Sequence, residues 1–579
     1  MTEIENRNAC KVPRLLLSRS DRSTRANKTG DWRFAVPRYE NKTAPCAAAC
    51  PAGLNIPRIE MLAATGNLAQ AWDDIMLENP LPAVCGRVCF HPCEDACNRA
   101  GFDQPVAIHH IEGLLGAHAL KAGWLPSAWP QPAGGARIAV VGAGPAGLSA
   151  AYFLNSLGHA CHVYESREEA GGLLRWGIPA YRLPLPLLQG EVSRLERLGV
   201  RILCRTPASP DVAGTGDYQA LVVSCGHTRP VTPAIPGREL FIDGLDYLRR
   251  VRSGAAEEFK GDVAVIGGGN TAVDVARTLV RCGARPVIVY RRRIEDMPAF
   301  GEEREQALAE GVALKELSAP VALRKVDGGF ALDVQAMQLT GGMSEDGRAR
   351  VEPVAGATET MDVQGVFAAT GAEPDIACLP GPGKRTGRLP LSHCLVEGGA
   401  IPTVYSGDLA SPVLSVTHAI MSGKQAAMAI DVCLKDGIEN VIPRLDECSL
   451  GEGRGVSMEK YRRGNARDVS SHCVPLAEIK THYYDRTERN LPATLAPERR
   501  VHSFDPVEAG LSKEAAMQEA GRCFNCGTCN GCGYCSIFCP EMAVELSEPN
   551  TIDLDYCKGC GICVEECPRN AMTLEAGGL

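Results

Sequence analysis

No run of about 20 apolar residues crosses this chain of 579 without a glycine or a charge. Its first residues also lack the apolar centre of a secretion signal. The expectation is a cytoplasmic protein with no membrane span. Basic charge is in no excess: 60 Lys and Arg against 69 Asp and Glu leave −9, which favours neither nucleic acid nor an anionic membrane as partner. No Ser/His/Asp group or carboxylate pair stands out for nucleophilic or acid–base work, so no catalytic side chain is nominated. Isolated histidines such as His109 and His110 read as structural. Cysteine is thin through the middle of the chain. Yet there are 26 in all, most of them in two bursts at 46–97 and 523–567. Spacings of two and three residues without an export signal argue against a disulfide framework and for metal or iron–sulfur ligation.

Two stretches look built for dinucleotides. Residues 137–147, RIAVVGAGPAG, read as a buried strand over 138–141 and a turn with Gly142, Gly144, Pro145, Ala146 and Gly147. Residues 148–157 read as the helix that follows. The first glycine makes the bend, the second lets backbone approach a pyrophosphate, and the third lets helix pack on strand. The helix N-terminus supplies free N–H groups and the positive end of its dipole. A second strand, 159–164, leads to Glu165, placed to bind a ribose hydroxyl. The other unit starts at Asp262 and carries Gly267, Gly269, Asn270, Thr271 and Ala272 in its turn. Its second strand, 287–290, ends in Arg291, Arg292 and Arg293. A guanidinium fork there suits a 2′-phosphate, so NADP is favoured over NAD. The alternative is that a basic strand end simply follows the fold and the coenzyme is NAD.

The first cysteine burst holds Cys46, Cys50, Cys85, Cys89, Cys93 and Cys97 around a helical pattern over 58–77. Spacing by four suggests one helix face, but Pro92 interrupts it, so these cysteines wrap around something. An iron–sulfur cluster is the first reading and a zinc ion the alternative. In the second burst C-x2-C-x2-C-x3-C-P occurs twice, the run of bacterial two-cluster ferredoxins, whose fourth cysteine ligates the other cluster. Cys529, Cys532 and Cys535 then go with Cys567, and Cys557, Cys560 and Cys563 with Cys539. Cys523 and Cys526 are extra: idle, or binding something together with other cysteines.

CxxxCP, then CGRVCxxPCExxC, then VAIHHIE resembles the N-terminal cluster domain of the glutamate synthase small subunit and of dihydropyrimidine dehydrogenase. The resemblance runs over roughly 44–430 and implies FAD in the first dinucleotide unit. It implies that Cys50, Cys89, Cys93 and Glu112 hold one [4Fe–4S] cluster. The family's other N-terminal cluster uses a CxxC pair just upstream, joined by the equivalents of Cys46 and Cys97. Here that stretch reads VPRYENKTAPC, so three clusters in all are expected, with Cys85 a spare or rescuing ligand. The resemblance also places Gly171, Gly172 and Leu173 beside the flavin. Gly407 and Asp408, at a strand end before a helix from about Val416, fall near the ribityl-pyrophosphate linkage.

The fold expected is an α/β flavoprotein with two dinucleotide-binding domains. An NAD(P) unit (255–365) is inserted in an FAD unit (134–254 and 366–433). A helical iron–sulfur domain (40–122) follows an arm (1–39), and a connector (434–521) leads to a ferredoxin-like domain (522–579). A flavin joins two-electron hydride donors to one-electron clusters, so the parts make an electron conduit. The tail and the segment TGDWRFAVPRYENKTAPCAAACPAG resemble electron-transfer subunits of larger redox complexes. The partner implied is a catalytic subunit, foremost of a thiamine-dependent 2-oxoacid oxidoreductase. Glutamate synthase and a non-catalytic adaptor are the alternatives.

Overall fold

The computed structural model describes residues 28–577 apart from 130–133, 209–211, 213–216, 256, 345–346, 375–387, 399–400, 452–454, 465–468 and 548–549. At its centre lies the strand Arg137–Val141, buried over 138–141. It belongs to a seven-stranded sheet ordered 388–390, 395–397, 403–405, 220–223, 137–141, 160–164, 201–203. The last five strands of that order are parallel. Parallel strands are covered on both faces, which is why 138–141 and 220–223 are apolar throughout. Part of the cover is the helix pair Pro145–Ser156 and Val416–Lys435.

The inserted unit has five parallel strands, ordered 313–315, 284–289, 261–266, 366–368, 242–243. An antiparallel sheet of Ser318–Val326, Gly329–Met343 and Ala349–Val363 stands beside it. The chain enters and leaves this unit through an antiparallel pair, His227–Pro230 with Ala372–Pro374. The two crossings run side by side, and Arg182 of the FAD unit reaches Asp274 and Glu303 of the insertion, both at 2.8 Å.

Residues 45–122 form a helical domain. The pattern over 58–77 is two helices, Ile56–Ala64 and Leu68–Met76, broken where Asn67 N–H turns back to the Leu62 carbonyl. Helices Pro82–Val88 and Ile108–Ala122 meet at Gly86 and Gly113, where a Cβ on Gly86 would stand 2.1 Å from the Gly113 Cα. Only glycine permits this approach, and it brings the cysteine helix against the one carrying Glu112.

The connector is laid over both neighbours. Its strand Val469–Cys473 pairs in parallel with Asn41–Thr43, and its last helix, Lys513–Gly521, packs on Ile56–Ala64. The strand Ala35–Tyr39 runs antiparallel to Met572–Ala576, so the N-terminal arm completes the tail domain. The first 27 residues of that arm lie outside the described residues.

Candidate redox site and cluster cradles

The turn after Arg137–Val141 folds as its glycines require. Gly142 has φ +102, and a Cβ there would meet the Ser224 carbonyl oxygen at 2.6 Å. On Gly147 it would meet the Gly142 carbonyl oxygen at 1.9 Å. At Gly144 a Cβ meets nothing within 4 Å, so the backbone is open on the side where a pyrophosphate would lie. Pro145 and Ala146 open the helix. Glu165 accepts from Ala143 N–H at 3.0 Å and from Arg167 N–H at 2.9 Å, so its carboxylate stands beside the turn. Gly172, at φ +52, brings its loop against Gly144, and Leu173 beside it is 44 % exposed. Gly407 donates its N–H to Ser422 Oγ at 2.7 Å. Burial pushes the neighbouring Asp408 carboxyl up, against the pull of His227. Ser224, whose hydroxyl donates to the Val141 carbonyl at 3.0 Å, had no motif to announce it. These groups fit an extended diphosphate dinucleotide.

The inserted unit repeats the plan. A Cβ on Gly267 would meet the Ala369 carbonyl oxygen at 2.3 Å, whereas Gly269 is open. Asn270 begins the helix Asn270–Arg281, and its Oδ1 accepts from Phe300 N–H at 3.0 Å. Thr271 follows, and Ala272 is fully buried against the sheet. The second strand spans Ala284–Val289, and past it the three arginines part. Arg291 is exposed. Arg292 is 4 % exposed and donates to the Ala349 carbonyl at 2.8 Å and to Ser344 Oγ at 3.1 Å. Arg293 pairs with Glu295 at 2.8 Å and Asp296 at 3.0 Å.

The N-terminal cysteines reach the flavin unit at the start of Val416–Lys435. Ser415 caps that helix, accepting from His418 N–H at 3.2 Å. Thr417 donates its hydroxyl to Cys89 Sγ at 3.1 Å. Phe90 stacks 5.5 Å from both His418 and Phe300, between the helix and the inserted unit. Cys50 and Cys89 end the helices Pro45–Ala49 and Pro82–Val88, and Cys93 lies in Pro92–Asp95. Burial pushes the Cys50 thiol up to about 11 and the Cys89 thiol up to about 12. It raises the Glu112 carboxyl to about 8, although Asn79 Nδ2 donates to it at 2.6 Å. Glu112 acts on both Cys50 and Cys89, and these two act on Cys93. Cys85 adjoins the same group. Buried acids that resist ionisation are what a polycationic centre compensates.

Two recesses open in the tail. One is lined by Cys539, Cys557, Cys560 and Cys563; Cys539 comes from the other motif. The second is lined by Cys529, Cys532, Cys535 and Cys567, and here Cys567 is the visitor. Tyr39 from the arm reaches Cys535 Sγ at 3.1 Å.

Residues 136–387 match the pyridine nucleotide-disulphide oxidoreductase family. Residues 38–124 match dihydropyrimidine dehydrogenase domain II, 4Fe-4S cluster, and 550–573 match the 4Fe-4S binding domain. The NADP(+)-dependent formate dehydrogenase subunit beta of Moorella thermoacetica is 32 % identical over 523 residues, spanning 84 % of this chain and 70 % of that one. The NADPH-Fe(3+) oxidoreductase subunit beta of Geobacter sulfurreducens is 29 % identical over 532 residues, 85 % of this chain and 76 % of that one. An NAD-dependent dihydropyrimidine dehydrogenase subunit PreT homolog of Salmonella typhi is 28 % identical over 418 residues, 68 % and 92 % of the two chains. Among the described residues no helix is long and apolar enough to cross a membrane. FAD, NAD(P)H and [4Fe–4S] clusters are the cofactors of this domain set. The chain belongs to the pyridine nucleotide-disulphide oxidoreductase flavoproteins that carry an N-terminal dihydropyrimidine-dehydrogenase-type iron–sulfur domain and a C-terminal 4Fe–4S domain, and it is an NAD(P)H-dependent FAD/iron–sulfur oxidoreductase.

Proposed function

We propose that the chain is the electron-transfer subunit of a larger complex, exchanging electrons between NADPH and a partner catalytic subunit. The observation that carries this is the Thr417–Cys89 contact, which sets an iron–sulfur donor set on the N-terminus of the flavin helix. When bound, FAD takes electrons in pairs from the nicotinamide and hands them to clusters singly. The turn from Gly142 to Gly147, open at Gly144, holds its pyrophosphate on the N–H groups that begin the helix Pro145–Ser156, and Glu165 and Asp408 flank it. Gly267, Gly269, Asn270, Thr271 and Ala272 hold the second dinucleotide in the same way, and Arg291 reads its 2′-phosphate. Cys50, Cys89, Cys93 and Glu112 ligate the first cluster, and the two recesses of the tail hold one each.

Electrons leave at the tail. Cys560 is exposed, and its neighbours Lys558, Gly559 and Gly561 lie against Trp32 (64 % exposed), the Arg33–Ala35 stretch that carries Phe34 (79 %), and Leu574 (45 %), apolar surface that a partner subunit would cover. Two of the relatives are named as beta subunits, which supports a partner. Their names concern formate and Fe(3+), so the 2-oxoacid oxidoreductase rests on the resemblance of the tail and of the N-terminal segment TGDWRFAVPRYENKTAPCAAACPAG alone. Glutamate synthase gains no support from them.

Mixing with NADPH in a stopped-flow cell should bleach the flavin rapidly. The isolated chain should then reduce artificial dyes and act on no carbon substrate. A flavin that NADPH leaves oxidised would overturn the conduit in favour of an adaptor. The proteins that co-purify with the native chain identify the partner.

A further inference from the structure

Cys523 and Cys526 line neither recess, yet they are 9 % and 8 % exposed. Their segment is driven into the helical domain at the other end of the chain. The Arg522 carbonyl accepts from the Arg99 guanidinium at 2.6 Å, and Asn525 Nδ2 donates to the Pro57 carbonyl at 2.8 Å. Lys42 N–H donates to the Gly527 carbonyl at 2.8 Å. The Arg99 guanidinium lies between the rings of Phe102 and Phe524, 5.2 Å and 4.8 Å from their centroids. The Arg522 guanidinium reaches the Gln104 carbonyl at 2.7 Å. Arg99 and Asn525 are each 1 % exposed, so these bonds fix the segment in a dry place.

It is fixed against the two cysteines that the first N-terminal set leaves over, Cys46 and Cys97. Asn98, next to Cys97, donates from Nδ2 to Cys526 Sγ at 3.3 Å. Lys42, four residues before Cys46, is bonded to Gly527, one residue past Cys526, and so brings Cys46 to the same segment. Cys46, Cys523 and Cys526 are buried and Cys97 half-buried, so the two ends of the chain bring four sulfurs into one neighbourhood. A fifth group faces it. Glu60 is 1 % exposed, neither carboxyl oxygen has a hydrogen-bond partner, and it acts on Cys46, Cys97 and Cys523. A buried carboxyl left so costs stability unless something polar occupies the space it looks into.

The spacing speaks against a single ion. Tetrahedral zinc, at about 2.3 Å from each sulfur, would draw the sulfurs to about 3.8 Å from one another. Among the described residues, the only set of three or more His, Cys, Asp or Glu ligand atoms within 4.8 Å of one another is His91, Glu94 and His109. No three of the four sulfurs meet that spacing, nor do any three around either ferredoxin recess.

We infer that Cys46, Cys97, Cys523 and Cys526 ligate a fourth [4Fe–4S] cluster, with the C-x2-C pair supplied by the C-terminal segment. The stretch just before Cys46 supplies no cysteine and is instead the strand Asn41–Thr43, tied to Val469–Cys473. The site also closes a gap. Cys93 feels Cys46 on one side, and buried Arg569 acts on Cys526, Cys529 and Cys567 on the other. The proposed site thus stands between the set at the flavin helix and the two recesses of the tail. This inference rests on the chain being an iron–sulfur protein, not on its partner.

Iron and acid-labile sulfide per FAD, measured on anaerobically prepared holoprotein, test it. About sixteen of each are expected, and about twelve in Cys523→Ala/Cys526→Ala, whose FAD content reports that it has folded. The spin count after full reduction should fall by one cluster in step. A wild-type value of about twelve, with or without one zinc, overturns the inference while the proposed function stands. So does a folded double variant that keeps the wild-type iron. A wild-type value of about four or less would remove the conduit reading itself.

Discussion

Three consecutive arginines past the strand Ala284–Val289 show how much burial adds to residue type. Arg292 is built into the fold through Ala349 and Ser344, and Arg293 is spent on Glu295 and Asp296. Arg291 is the most exposed of the three. Arg291→Ala should therefore lower kcat/KM for NADPH by about 10- to 100-fold, the worth of one charge-assisted phosphate contact, and leave NADH within about 3-fold. Arg292→Ala should instead lower the unfolding temperature. Steady-state kinetics with both coenzymes decide it, and equal losses would show that Arg291 does not read the 2′-phosphate. In the sequence the three residues were indistinguishable, because the hairpin that buries Arg292 is more than 50 residues away, at Ala349. The glycines were legible for the opposite reason. Their spacing is a local pattern that marks the turn by itself, although the carbonyls that hem in Gly142 and Gly267 come from Ser224 and Ala369, far along the chain.

The helix Val416–Lys435 is the element on which the domains meet. Its start touches the first cluster set through Thr417, and its middle carries Lys424, which is fully buried. Lys424 Nζ donates at 2.6 Å to Glu78 Oε2 and at 2.6 Å to the Ala52 carbonyl. Glu78 in turn accepts from Met458 N–H of the connector at 2.8 Å. Flavin unit, iron–sulfur domain and connector thus share one buried ion pair. Removing one partner strands the other charge, so Lys424→Met should cost about 3–5 kcal/mol. Urea unfolding followed by flavin fluorescence and by iron release measures it, and a loss below about 1 kcal/mol would mean Glu78 is satisfied without the lysine. Helices, strands and glycine turns could be read from periodicity and local chemistry. This pair could not: its partners are 346 residues apart, and a lysine in an apolar helix gives no sign of its carboxylate. Cys523 and Cys526 are the same case, since spacing rules relate only cysteines near one another in the chain.

The whole molecule is closed rather than strung out. The tail begins inside the N-terminal domain and ends as a strand beside Ala35–Tyr39. Its hydrogen bonds run to Thr29, Arg33, Lys42, Pro57, Arg99 and Gln104, and to Glu478 and Tyr484 of the connector. Those residues lie in the arm, the helical domain and the connector, outside the two dinucleotide units. A chain ending at Gly521 should therefore still bind FAD and bleach it with NADPH, because both glycine turns and the helix Val416–Lys435 are complete without the tail. It should lose electron exchange with its native partner, since the exposed ligand Cys560 and Leu574 leave with the tail, and Trp32 and Phe34 of the arm lose the surface they stand against. The rate of partner-coupled turnover against that of the full chain is the measurement, with NADPH bleaching as the internal control. If the shortened chain exchanged electrons with the partner at the full rate, the exit would be the set Cys50, Cys89, Cys93 and Glu112, and the tail a side branch.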